Sequence, residues 1–204
     1  MNYYSQFKQD EFVNENIFKN KPNGTFVDIG AHDGQTFSNS LFFEELGWSG
    51  ICIEPNPDIF TILSSNRKCK CVNLAVSDKT GNASFFQING GPDMLSGLAD
   101  EYTQNAISRI HDEMKSNPNA FSYIDVQTDT FSNIVDFIDI DFLSIDTEGN
   151  ELKILQSIDF NKYNIHVISV ENNNFDSTFI EFFADKPYDL VTRLGCDEVY
   201  VKQV

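Results

Sequence analysis

The chain has 204 residues, 41% hydrophobic and 13% aromatic, enough for one domain with a substantial core and short for two. Its formal net charge is −17, with Lys and Arg few and dispersed, which argues against DNA, RNA or an anionic membrane as a partner, since phosphate binding needs a basic patch. No apolar run is long enough to insert into a bilayer, and Met1 to Glu15 lacks the basic start and apolar stretch of a secretory leader, so the expected location is cytoplasmic.

The four cysteines, Cys52, Cys69, Cys71 and Cys196, fit a reducing compartment. Only one lysine separates Cys69 from Cys71, too little for the usual zinc spacing.

In chain order, Asn2 to Lys19 reads as an N-terminal helix or arm. Gly24 to Gly30 (GTFVDIG) is a short apolar strand ended by glycine. Ser38 to Leu46 is helical, with Ser38 as N-cap and Gly47 just past the end. Gly50 to Glu54 is a second buried strand, and Asn56 to Asn66 a helix opening at Pro57. Val72 to Val76 reads as a third strand and Ala83 to Ile88 as a fourth. Asn89 to Ala120 is irregular and glycine-rich at first, then helix-like around Asp100 to Lys115. Tyr123 to Val126 is a short strand and Phe131 to Ile138 a short helix. Asp141 to Ile145 and Ile165 to Val170 are buried strands around an amphipathic helix, Asn150 to Ile158. Thr178 to Ala184 is helical, and Tyr188 to Leu194 with Glu198 to Lys202 forms a closing antiparallel pair.

Strands alternating with helices predict an α/β fold: a mainly parallel sheet with a C-terminal antiparallel hairpin and helices on both faces. Such sheets bind ligands beyond the C-terminal strand ends. The first strand ends in Asp28-Ile29-Gly30-Ala31-His32-Asp33-Gly34, whose glycines permit a tight turn and close ligand approach. The second ends in Glu54-Pro55-Asn56-Pro57, an acid at the distance where ribose hydroxyls are bound. Ser77-Asp78 closes the third, where a polar side chain can reach an adenine amine, although Ser77 to Gly81 is also good turn chemistry. Asp146, Glu171 and Asn172 close two consecutive strands; converging, they offer three hard oxygen ligands for Mg²⁺ or Ca²⁺. Glu148 and Glu151 also fit helix N-terminal charge stabilisation. His166 reads as structural and His111 as a solvated helix residue that a lid could turn inward.

Together these motifs resemble the FkbM family of methyltransferases. The resemblance runs through Ser5-Gln6, Gln9-Asp10, FVDIGAHDG (Phe26 to Gly34), Ser38-Asn39, GWSGICIEPNP (Gly47 to Pro57), AVSD (Ala75 to Asp78), SGL (Ser96 to Leu98), DFLSIDTEGNEL (Asp141 to Leu152) and VEN (Val170 to Asn172). It implies a Rossmann-like class I methyltransferase fold over residues 1–204, S-adenosylmethionine as methyl donor, and O-methylation of a sugar or glycan. By that resemblance Asp28, Gly30, His32, Asp33 and Gly34 cradle the methionine portion, with Ser38 close by. Glu54 holds the ribose beside Pro55 and Asn56, Ser77 and Asp78 edge the adenine, and Asp146 stands at the methyl-transfer centre.

The pairing of Asp146 with Glu171-Asn172 is also similar to the metal site of catechol-type O-methyltransferases. The position three after the first acid, basic in those enzymes, is Gly149 here. The base is therefore sought among Asp146, Glu148 and His111, with Mg²⁺ as an assisting ion. Residues 1–20 are expected to form an arm and 89–120 an acceptor-site lid, in which Tyr102 and Phe121 either stack on a sugar or anchor the segment. The residues also admit a non-sugar acceptor, a nicotinamide-dependent oxidoreductase or a non-catalytic binding module.

Overall fold

A computed structural model describes residues 1–89, 93–102 and 121–203. Its strands are β1 (Thr25–Ile29), β2 (Ser49–Ile53), β3 (Lys70–Val72), β4 (Ala75–Ser77), β5 (Gly81–Ile88), β6 (Gly97–Leu98), β7 (Phe121–Thr130), β8 (Asp139–Ile145), β9 (Asn164–Glu171), β10 (Tyr188–Leu194) and β11 (Asp197–Lys202). Seven form the central sheet in the order β10-β11-β9-β8-β1-β2-β3. β1 pairs in parallel with both β2 and β8, and β8 with β9. β11 runs antiparallel to β9 and β10 and closes the sheet as the expected hairpin. The chain steps outward from β1 to β3 and returns on the other side of β1 as β8. The topological switch point lies between β1 and β8, where a crevice for ligands opens.

β1, β2, β8 and β9 are near-continuous apolar runs because both faces of the sheet are covered. One face carries Val27, Ile29, Ile51, Ile53, Leu143, Ile145, Ile168 and Val170. They pack on Phe131 and Ile134, on Ile154 and Leu155, and on Phe179 and Phe183, from the helices Phe131–Ile134, Glu151–Ser157 and Thr178–Phe183. The alternate residues Phe26, Cys52, Phe142, Val167 and Val199 face the other way, onto Val13, Phe18, Phe42, Phe43, Trp48 and Leu63. The cover on that side is the arm and the helices Leu41–Glu45 and Pro57–Asn66. No described helix is long and apolar enough to cross a membrane.

Several expected elements change shape. The strand read as Val72 to Val76 is two strands in two sheets. Asn73 breaks it, its Nδ2 donating to the carbonyls of Glu54 at 2.8 Å and Pro55 at 3.0 Å, so β3 ends at Val72 and β4 departs. β4 joins a second sheet, β4-β7-β5-β6, which local periodicity gave no reason to separate. β7 has ten residues where Tyr123 to Val126 was expected, because it pairs with β5 along its whole length from Gly81 to Ile88. The arm is helical only over Gln9–Phe12 and a wider-turned Val13–Phe18, stopped by Lys19 at φ 50°. The helix read from Ser38 begins at Leu41; Ser40 is its N-cap, and Ser38 Oγ accepts from the Leu41 amide at 3.1 Å.

Candidate active site

The glycine loop after β1 is fixed by its backbone. Gly30 and Ala31 both donate to the Ile53 carbonyl at 3.0 Å. Gly30 has φ +85°, and a Cβ there would lie 1.6 Å from the Asp146 carbonyl oxygen, so β1 and β8 close on each other only over a glycine. Asp33 shapes the turn by accepting the amides of Gln35 at 2.8 Å and Thr36 at 2.7 Å. Gly34, at φ +77°, backs onto Leu63 and Arg67. Asp28 is buried and accepts the Ser40 hydroxyl, itself an acceptor from Arg67 Nη2 at 3.0 Å. Burial pushes the Asp28 carboxyl up, and the Arg67 guanidinium opposes that.

Glu54, 7% exposed at the end of β2, receives one backbone N–H on each oxygen: Asn56 at 2.8 Å and His32 at 3.1 Å. Burial pushes it up to about 7 in spite of those amides. Each oxygen keeps a further lone pair for a hydroxyl. Pro55 follows it in the turn. The Asn56 side-chain oxygen is filled by protein, accepting from the Asp58 amide at 3.1 Å and from Gln87 Nε2 at 3.1 Å. Gln87 belongs to β5, so this contact clamps the second sheet onto the helix that starts behind Glu54. Ser77 is buried in β4 and donates to Asp78 Oδ1 at 3.2 Å, while Asp78 is exposed.

A denser acidic group forms where β8 and β9 end. Asp146, Glu148 and Glu171 each place a carboxylate oxygen within 4.8 Å of the other two. Glu171 is 8% exposed, and its Oε2 is buried without a hydrogen-bond partner. Burial, then the carboxylates of Glu148, Glu151 and Asp197, push Glu171 up to about 8. Burial and then Glu171 hold Asp146 well above its ordinary range. Asp197, bound by Gln9 Nε2, is pushed by burial to about 6.

Glu151 plays a different part. Its Oε1 accepts from the amide and hydroxyl of Thr147, both at 2.9 Å, and from the Gly149 amide at 3.0 Å, holding the acidic loop at its helix N-terminus. Asn172, the third residue of the expected metal set, is buried at the end of β9 beside Glu171. Its Nδ2 donates to Glu198 Oε1 and the Asp176 carbonyl, both at 3.0 Å, and Glu148 is the third carboxylate of the cluster.

One cleft runs from the end of β1 to the ends of β8 and β9, lined by Asp28, Gly30, His32, Ser38, Asp146 and Glu171 among others, with Glu54 behind the His32 wall through its bond to the His32 amide. No lysine or arginine lines it among the described residues. Both ring nitrogens of His32 and Oδ1 of Asn39, also on its wall, are buried without hydrogen bonds; His32 Nε2 sits 3.4 Å from Asp93 Oδ1. The cleft therefore suits a ligand that brings positive charge and its own hydrogen-bonding groups.

The sequence reading missed Gln6, Gln9, Phe37 and Asp197, all on this wall. The Gln6 and Gln9 motifs were visible, but nothing in the sequence placed the arm here. The described part of the expected lid reaches the cleft through Met94. Tyr102 donates to the Leu95 carbonyl, and both Tyr102 and Phe121 pack on Phe86, as anchors do. His166 packs against Phe18 at 5.7 Å near the start of β9, away from the strand end that carries Glu171, and His111 lies outside the described residues.

Residues 28–196 match the family described as Methyltransferase FkbM domain. Among solved structures, the chain is similar to the crystal structure of methyltransferase FkbM from Methylobacillus flagellatus KT. The TM-score is 0.52 at 13% identity, over 88% of this chain and 43% of that one, so this chain spans less than half of that protein's length. No curated protein matches.

Proposed function

The chain belongs to the FkbM family of methyltransferases, which implies S-adenosylmethionine as cofactor, and from that premise we propose that it methylates a hydroxyl of a sugar or glycan. The observation that carries this reading is the acidic group of buried Glu171 with half-buried Asp146 and Glu148, at a cleft without lysine or arginine among the described residues. S-adenosylmethionine has a sulfonium, an ammonium and a ribose diol, which suit the acids at the ends of β1, β2 and β8. When bound, it supplies an electrophilic methyl group.

In this reading Glu54 accepts the ribose hydroxyls on its remaining lone pairs, with Pro55 and Asn56 fixing the turn behind it. The loop from Gly30 through His32 and Asp33 to Gly34 lies along the methionine portion, with Asp28 and Ser38 beneath it. Ser77 and Asp78 edge the adenine. An alcohol is a weak nucleophile near neutral pH, so its proton needs an acceptor. Asp146 takes that proton at its carboxylate, and Glu171 beside it keeps the pair basic enough to do so. Glu148 is the alternate acceptor, at the same cluster.

A second reading adds Mg²⁺, favoured by the three clustered carboxylate oxygens and the unpartnered Glu171 Oε2. A hard cation held by Asp146, Glu148 and Glu171 would polarise the acceptor hydroxyl.

Calorimetric titration with S-adenosylhomocysteine, with and without Mg²⁺, followed by methyl-transfer assays on glycosides, tests both readings. Asp146→Ala and Glu171→Ala are each expected to lower turnover about 100-fold or more. Near-normal turnover in both variants overturns the role of these carboxylates as the base. A saturable Mg²⁺ heat that vanishes in Glu171→Ala selects the metal-assisted version.

A further inference from the structure

The N-terminal arm holds none of the groups assigned to the cofactor, yet it walls the cleft. Its Ser5-Gln6 and Gln9-Asp10 pairs build a rigid turn. Asp10 is fully buried and accepts the Tyr4 amide at 2.7 Å and the Ser5 hydroxyl. Gln9 is 2% exposed, accepts the Phe7 amide at 2.9 Å and donates to Asp197 of β11. The Phe7 ring packs so closely over Gly195 that a Cβ there would fall 2.4 Å from it. Ser5 also forms a parallel backbone bridge to Phe37.

All of this anchoring leaves two side chains at the cleft unused. Gln6 is exposed, lines the cleft and makes no side-chain hydrogen bond among the described residues. Phe37, joined to the arm by that bridge, lines the same cleft with 46% of its surface exposed. It also sits at φ 54°, a backbone region that a bulky side chain rarely occupies. An exposed amide and an exposed aromatic ring on one cleft wall can together bind a polyhydroxylated ring: the amide meets hydroxyls and the ring covers the apolar C–H face.

We propose that Gln6 and Phe37 form the acceptor subsite, the amide reading sugar hydroxyls and the ring stacking on a pyranose face. This rests on the sugar-acceptor reading. It gives the SQ-x-x-QD segment a role: Asp10 and Gln9 are positioning residues that hold Gln6 and the bridge to Phe37 against the acidic end of the cleft.

Saturation-transfer NMR tests this on protein loaded with S-adenosylhomocysteine, using the methyl α-glycosides of glucose, galactose, mannose, fucose and rhamnose as probes. At least one glycoside is expected to bind, with transfer concentrated on one ring face. Phe37→Ala should weaken it tenfold or more and Gln6→Ala about threefold, with Phe37→Trp retaining it. S-adenosylhomocysteine affinity should stay within twofold in all three variants. Gln6 is exposed, so Gln6→Ala carries the test even where a change at Phe37 disturbs the loop. Unchanged glycoside affinity in both alanine variants overturns the subsite and leaves the sugar reading standing. Failure of every glycoside to bind, while S-adenosylhomocysteine does, overturns the sugar reading and the subsite with it.

Discussion

The acids that end β2 and those that end β8 and β9 are used in opposite ways. At the β2 end Glu54 stands apart from the acidic cluster and has each oxygen bound by a backbone amide, from His32 and Asn56. At the β8–β9 end Asp146, Glu148 and Glu171 crowd together with Asp197 nearby, and the Glu171 Oε2 has no partner. The first arrangement is already satisfied by the protein and adds a ligand to it. The second is electrostatically frustrated and is relieved by a proton or a cation. The lesson is that burial alone does not mark the reactive carboxylate; what each oxygen already touches separates the two.

The sharpest way to break the comparison is to separate its halves. Gly30 is the point where β1 passes the Asp146 carbonyl, at positive φ. Gly30→Ala is expected to cost about 3 kcal/mol or more, through backbone strain plus the displacement of β8. Thermal unfolding checks it, and a variant as stable as the parent would mean that the two ends are not mechanically joined there.

Glu54 gives the next effect. Removing an ionised acceptor of two ribose hydroxyls should cost about 2–3 kcal/mol, so Glu54→Ala is expected to weaken S-adenosylhomocysteine about 30- to 150-fold. Its pH dependence has a definite sign. The folded group titrates at about 7, above its ordinary 4.5. Affinity should therefore rise as pH rises through 7, since the ionised form binds hydroxyls. Stability of the free protein runs the other way: the contribution of Glu54 is fully present below about 4.5 and is lost as pH rises to about 7. A Glu54→Gln protein should thus bind less tightly above pH 7, and because its NH2 faces one of the two backbone amides that Glu54 accepts, its loss of stability should be larger at low pH than at high pH. Calorimetry at pH 6 and pH 8 separates the two effects.

The smallest expected effect lies at the acidic end. In the metal-assisted reading Mg²⁺ stabilises the folded state by mass action, giving an increase in Tm of about 2–4 °C per kcal/mol for a chain of this size. The increase should be present in the parent at millimolar Mg²⁺ and absent in Glu171→Gln. An equal shift in both would place the ion elsewhere and leave proton sharing as the relief of that cluster.

Much of this site was legible one strand at a time. Gly30, Glu54 and Asp146 each close an apolar run, and a run followed by a glycine, an Asx turn or an acid is a local signal. Glu151 was readable as a charge at a helix start, and the structure gives it three donors from the loop just ahead of it. Asn172 is adjacent in sequence to Glu171, but a strand alternates its side chains, and only the structure shows that its amide nitrogen donates to Glu198. Glu148 enters the acidic group with φ 59°, a backbone conformation that periodicity does not signal.

The sequence by itself determined the alternation of strands and helices, the closing hairpin and the position of each strand-end acid. Those features follow from the burial period and from backbone geometry within a few residues. Only the tertiary structure decided that β4 leaves the main sheet, that Gln87 clamps the helix behind Glu54, and that Gln9 meets Asp197, 188 residues away. It also decided which aromatic stays exposed at the cleft: Phe37 rather than Tyr102 or Phe121. These are outcomes of which elements pack together, and packing joins residues whose local sequences carry no record of one another.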